Sequence, residues 1–220
     1  MAVAITGCAG GKNNGKNPQA SPSPSPSPSS SPSASPSPSP SPSPTVVFQD
    51  FENSSQVGGS WGWGGTLYTD NLETVIFHGG SHSIKFVISD PSLNWKGFGL
   101  RPENDTINWL IDLNPTGQNT KISFWVYAVP SDPTKTDGTL AITLTDTSNR
   151  QAQVWSDKTT VPQKWVANTW TKISIPFALL QANLVSPATT IDFNNIGNVQ
   201  FGFWMDGTYT FYFDDIVAEP

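Results

Sequence analysis

Cysteine occurs once in the 220 residues, at Cys8, so no disulfide can close within the chain. Histidine occurs only at His78 and His82. Two imidazoles four residues apart, with no second ligand cluster, are a poor basis for zinc. No apolar run approaches the roughly 20 residues of a membrane-spanning helix. Basic residues are scarce, 11 against 17 acidic ones. Two of them, Lys12 and Lys16, precede residue 45, so residues 45–220 are more acidic than the net charge of −6 for the whole chain. Such a surface repels phosphate backbones and argues against nucleic acid as a partner. No G-x-S-x-G elbow and no phosphate loop occurs. Residues 9–44 contain no aromatic residue and have no apolar surface to offset the entropy of ordering, so they build no core.

What is there divides sharply. Residues 21–44 are nearly pure Ser-Pro. Alternating proline favours extended polyproline II, and at about 3.1 Å per residue the run reaches roughly 70 Å. All nine tryptophans and all twelve phenylalanines come after it. Residues 9–44 are therefore read as a disordered linker, and 45–220 as one folded domain.

Upstream of the linker, Ile5-Thr6-Gly7-Cys8 resembles a bacterial lipobox: an aliphatic residue, two small ones, then cysteine. The resemblance implies that Cys8 is acylated and becomes the mature N-terminus. Residues 1–8 then read as the remnant of a lipoprotein signal, with the true start upstream. A free thiol on an exported protein is a liability, and acylation accounts for this one. The expectation is a monomeric protein at the bacterial cell surface, touching the membrane through its lipid anchor only.

From Val46 onward, short apolar-alternating stretches recur between Gly, Asn, Asp and Pro. Strands are predicted near 46–51, 66–69, 83–89, 95–101, 121–129, 138–146, 150–156, 169–176, 197–205 and 209–217. "PFALLQANL" (176–184) is the one candidate helical turn. Short strands separated by turn signals point to an all-β sandwich or jelly roll of two antiparallel sheets.

The alternation also separates two kinds of face. One is ordinary core: Ile122, Phe124 and Val126; Phe98 and Leu100; Leu140, Ile142 and Leu144; Ala152 and Val154; Val199, Phe201 and Phe203. The other mixes tryptophan and tyrosine with polar groups: Trp125 and Tyr127; Gln151, Gln153 and Trp155; Gln200 and Trp204; Trp95 and Arg101. Core faces rarely hold Gln and Arg beside Trp, because buried polar groups need partners. Solvated faces rarely spend Trp. A ligand that is half apolar and half hydroxyl fits both. Sugar rings stack their C–H faces on indoles and bond their hydroxyls to Gln, Arg and carboxylates.

The ordered series "FQDFEN", "GSHSIKFVIS", "WKGFGL", "ISFWVYA", "LTDTSNRQAQVW", "TWTKISIPF" and "FYFDDI" resembles the β-jelly-roll carbohydrate-binding modules of families 11, 4, 22 and 30. The resemblance implies a cleft on a concave sheet that binds a neutral β-glucan, mannan or xylan chain without catalysis. Its residues would be Trp125, Tyr127, Gln151, Gln153, Trp155, Gln200 and Trp204, with Arg101 and Trp95 near an edge. Trp61, Trp63 and Tyr68, in or beside the Gly-rich loop after the first strand, would wall one end. The resemblance also implies a structural calcium held by Glu52 and Asp215 or Asp214, with carbonyls near Gly80–His82.

Two other readings stand beside this one. A glycosidase or polysaccharide lyase on the same fold needs paired catalytic groups. Asp146, Asp157 and Asp206 lie at strand ends or turns where Asp is expected anyway. A surface lipoprotein binding a protein partner through its aromatic face is the third reading.

Overall fold

The computed structural model describes residues 45–52, 60–102, 111–113, 119–156, 161–185 and 189–220. Cys8, the Ser-Pro run and Asp157 lie outside them. The elements are β1 (Val46–Gln49), β2 (Trp61–Trp63), β3 (Thr66–Glu73), β4 (Ser83–Ile88), β5 (Asn94–Leu100), β6 (Lys121–Pro130) and β7 (Asp137–Gly138). They continue with β8 (Ala141–Asp146), β9 (Gln151–Trp155), β10 (Trp165–Val166), β11 (Thr171–Pro176), α1 (Phe177–Ala182), β12 (Ile196–Met205) and β13 (Tyr209–Glu219).

The strands form a sandwich. The first sheet has the order β11-β6-β13-β4-β3, with β1 also paired to β13. The second has the order β2-β5-β12-β8-β9. A two-stranded piece, β10-β7, completes the structure. Every strand pair in the two sheets is antiparallel.

The predicted core faces are the observed ones. Ile122, Phe124 and Val126 of β6 and Val199, Phe201 and Phe203 of β12 are fully buried. Phenylalanines from the two sheets interlock between them. Phe98 stacks on Phe86 with centroids 3.4 Å apart, and Phe124 meets Phe201 edge-on at 4.8 Å. Phe213 packs on Phe201 at 4.5 Å, and Phe203 on Phe211 at 4.5 Å. Burying each such ring is worth about 1.5–3 kcal/mol.

Two strands lie outside the sequence expectation. Trp61-Gly62-Trp63, expected in loop, pairs with Gly97–Gly99. Trp165–Val166 pairs with Asp137–Gly138. The predicted strand 138–146 breaks at Thr139–Leu140. The helical turn is present as α1, a six-residue helix burying Phe177 and Leu180.

One irregularity matters for the acids near the C-terminus. The register of β13 shifts between Asp214 and Val217, and Asp215 has φ of 47°. This is a β-bulge: the extra residue bends the strand and switches which alternate residues face inward. Phe211 and Phe213 are buried before it, Ile216 and Ala218 after it.

Candidate functional site

The second sheet carries the candidate site on the face turned away from the core. Strand register arranges it in rows across the strands. One row runs Trp61, Gly99, Gln200, Thr143, Gln153. The next runs Trp63, Gly97, Gly202, Ala141, Trp155. Trp95 and Trp204 are partners in the row after that, while Thr145 and Gln151 pair on the other flank. At about 4.8 Å between strands, five strands span roughly 19 Å.

The glycines explain why indoles cover this face. A methyl group on Gly99 would sit 2.1 Å from the benzo edge of Trp61, and one on Gly97 would be 2.4 Å from that of Trp63. A methyl group on Gly202 would be 2.2 Å from Trp95. Each indole therefore lies directly on the backbone of a neighbouring strand, where any side chain would displace it. Trp155 lies beside Trp95, with ring centroids 5.5 Å apart. Trp61, Trp63, Trp95 and Trp155 are half-buried, whereas Trp204 projects, 60% exposed. The Nε1–H of Trp63 is buried and has no hydrogen-bond partner. The flanking polar groups are oriented by one another. Gln153 Nε2 donates to Thr143 Oγ1 at 3.0 Å, and Gln200 Nε2 donates to Asn198 Oδ1 at 3.0 Å. Arg101 comes directly after β5 and is exposed; its carbonyl accepts Gln49 Nε2 at 3.0 Å.

The expected site divides between the two sheets. Trp125, Tyr127 and Tyr68 belong to β6 and β3 of the first sheet, so they do not share a face with the rows above. Alternation identifies a mixed face on each strand, but not which sheet that strand joins. Trp125 is also covered: the His78 ring stacks on it at 3.7 Å, 17° from parallel. Tyr127 packs against Trp170 and Tyr212, at 5.5 and 5.9 Å. Trp125 and Trp170 hold His78 of the 74–82 loop against this sheet, the second edge-on at 5.8 Å. Tyr68 pairs with Phe86 in register.

Glu52, Asp214 and Asp215 all meet that loop. Glu52 Oε1 accepts the amides of Ser81 and His82 at 2.9 and 3.0 Å, and Oε2 accepts Ser81 Oγ at 2.8 Å. Asp214 Oδ2 accepts the amides of His78 and Gly79 at 2.7 and 3.0 Å. Asp215 Oδ2 lies 2.9 Å from His78 Nδ1. Burial pushes the Asp214 carboxyl up to about 6, against the pull of the two amides. A methyl group on Gly80 would strike Glu52 Oε1, 2.2 Å away, and one on Gly79 would meet Asp215 Oδ2 at 2.8 Å. The donor set, all carboxylate oxygen around a glycine cradle, has the chemistry of a hard cation site. As it stands it is a hydrogen-bonded staple. Among the described residues no three acidic, histidine or cysteine groups come close enough to share an ion.

Sequence reasoning missed the floor of Gly97, Gly99 and Gly202. Its signal was present: Trp-Gly-Trp at 61–63 is the complement of Gly-Phe-Gly at 97–99 once the two stretches pair antiparallel.

No protein-family model matches the chain, and no curated protein does. Solved structures match the fold. The family 11 carbohydrate-binding module from Clostridium thermocellum, solved with a β-1,3-1,4-mixed-linked tetrasaccharide, aligns with a TM-score of 0.53 at 14% identity. That alignment covers 80% of this chain and 95% of the module. A family 30 carbohydrate-binding module aligns with a TM-score of 0.57 at 16% identity, over 80% of this chain and 99% of the module. The agarase AgWH50C also aligns, with a TM-score of 0.54 at 8% identity, over 80% of this chain but 24% of the enzyme. The fold is thus the two-sheet sandwich of the family 11 and family 30 modules, and it also occurs as part of larger enzymes.

Proposed function

We propose that the domain binds a neutral polysaccharide chain without catalysis, along the outer face of the second sheet. The carrying observation is the band of indoles seated on glycines and flanked by Gln153, Thr143 and Gln200. Indoles held on backbone are pre-ordered, so stacking a sugar ring costs little side-chain entropy. The amides and hydroxyl beside them match equatorial hydroxyls. A β-glucan, mannan or xylan chain laid across the strands would meet Trp63, Trp95 and Trp155 in turn. The fold shared with the family 11 and family 30 modules supports this reading. On the same reading, acylated Cys8 tethers the domain to the cell surface through its Ser-Pro stalk, and glycan is held there for enzymes on other chains. Calcium would be held in a structural role only, by Glu52 and Asp215 or Asp214 with backbone carbonyls near Gly80–His82.

The test is a titration of intrinsic tryptophan fluorescence against soluble β-glucan, mannan and xylan. A saturable shift with one of them, lost in Trp155→Ala, supports the reading. No shift with any of the three overturns it in favour of a protein partner.

A further inference from the structure

One cavity touches the indole face but lies off its line. It has a volume of about 240 Å³ and sits where β5 begins and β12 ends, beside β7. Its walls include Leu93, Lys135, Asp137, Trp165, Trp204 and Asp206. Trp204 is the projecting indole and pairs in register with Trp95, so the cavity opens beside the row of Trp95, at the edge of the sugar-stacking band.

From these features we infer that the cavity is a subsite for one neutral sugar unit branching from a bound β-glucan chain. This rests on the glycan-binding reading above. The cavity lies past the strand ends, whereas a chain following the rows runs across the strands. A linear chain would pass the cavity; only a substituent pointing along the strands from the unit over Trp95 would enter it. The wall chemistry is that of a sugar site. Trp204 offers an indole face. Lys135 Nζ lies 3.1 Å from Asp206 Oδ1, and Lys164 Nζ lies 3.4 Å from Asp137 Oδ1. The Lys135–Asp206 pair, both in the wall, presents an acceptor beside a donor, the pattern that two vicinal hydroxyls satisfy, and Asp137 adds a further acceptor. In the wall the two acids, Asp137 and Asp206, outnumber the one ammonium, Lys135, so the cavity favours a neutral sugar over a uronic one. A separate sign is Trp165. It is 2% exposed, lines the cavity, and carries an Nε1–H with no hydrogen-bond partner. A buried donor left unpaired is costly, and the cavity is the open space that the Trp165 ring borders.

The experiment is calorimetric titration of the whole chain with two probes: a linear β-1,4 gluco-oligosaccharide, and the same backbone carrying single α-1,6-linked xylose branches. Both are repeated with Asp137→Ala and Asp206→Ala, exposed positions whose ion pairs contribute little to stability. The expected result is about tenfold tighter binding of the branched probe by the parent, the scale of one or two hydrogen bonds. Each variant should lose most of that preference and keep its affinity for the linear probe. Equal binding of both probes by the parent, or variants that keep the preference, overturns the branch subsite and leaves the indole face standing. A parent that binds neither probe but still binds mannan or xylan also overturns a branch subsite on a glucan chain. A parent that binds no glycan at all overturns the glycan-binding reading itself.

Discussion

The Trp95 indole lies on the backbone of Gly202, one strand away, with ring atoms 2.2 Å from where a methyl group would project. Neither residue works without the other: the glycine makes the seat, and the indole covers backbone that no side chain protects.

Gly202→Ala is therefore expected to lift Trp95 and roughen the band. The added methyl meets ring carbons packed against Trp155 at 5.5 Å, so the cost should be about 1–3 kcal/mol of stability, typical of overpacking. Glycan affinity should fall with it. Urea denaturation and fluorescence titration of the one variant read both effects. Unchanged affinity would mean the Trp95 ring does not stack sugar.

Two tryptophans separate binding from packing. Trp155→Ala should cost more than tenfold in glycan affinity and little stability, because its ring borders the open face (about 1–3 kcal/mol per stacked ring by analogy with base–aromatic stacking). Trp125→Ala should do the reverse. Its ring holds His78 at 3.7 Å, and its loss should cost about 2–3 kcal/mol, short of a fully buried Trp, with affinity intact. Binding lost in Trp125→Ala at full stability would return that face to the site.

The acid staple separates hydrogen bonding from metal. Glu52→Ala leaves the amides of Ser81 and His82 without their acceptor, so its melting temperature should fall even in chelator. Calcium at millimolar concentration should raise the melting temperature of the parent and not of the variant. A parent indifferent to calcium would leave the staple as hydrogen bonds alone.

Glu219 sets an acid limit. Burial works against its charge. The hydroxyl of Ser123 at 2.7 Å and the ammonium of Lys172 at 2.9 Å outweigh it and hold the carboxyl below its ordinary 4.5. A carboxylate depressed in the folded state stabilises fully above its unfolded value and loses that contribution as pH falls through the folded one. The stability gap between parent and Glu219→Gln should be constant near neutrality and close below about pH 4.5. Asp214 titrates in both proteins, so its opposite trend cancels. A gap that widens on acidification would refute the assignment.

Much of the fold was legible because a strand writes its two faces in alternate residues. Phe124 and Phe203 are buried where period two placed them. Trp61–Trp63 escaped because three residues are too few to establish a period amid the surrounding glycines, and their partner strand lies over thirty residues away. Trp125 and Trp155 read alike for the same reason: each alternates correctly within its own strand.

Local chemistry settled what each residue faces: core or surface, strand or turn, a chain with no material for a core before residue 45. It settled this because pleat geometry and side-chain entropy act over a few neighbours. Which mixed faces lie side by side was decided by pairing between distant strands, through register. That pairing put Trp63, Trp95 and Trp155 on one glycine-floored sheet and sent Trp125 to the other, beneath His78. Register is a nonlocal quantity. It is set when two Phe-rich faces close on each other and each strand finds the one alignment that buries its apolar side.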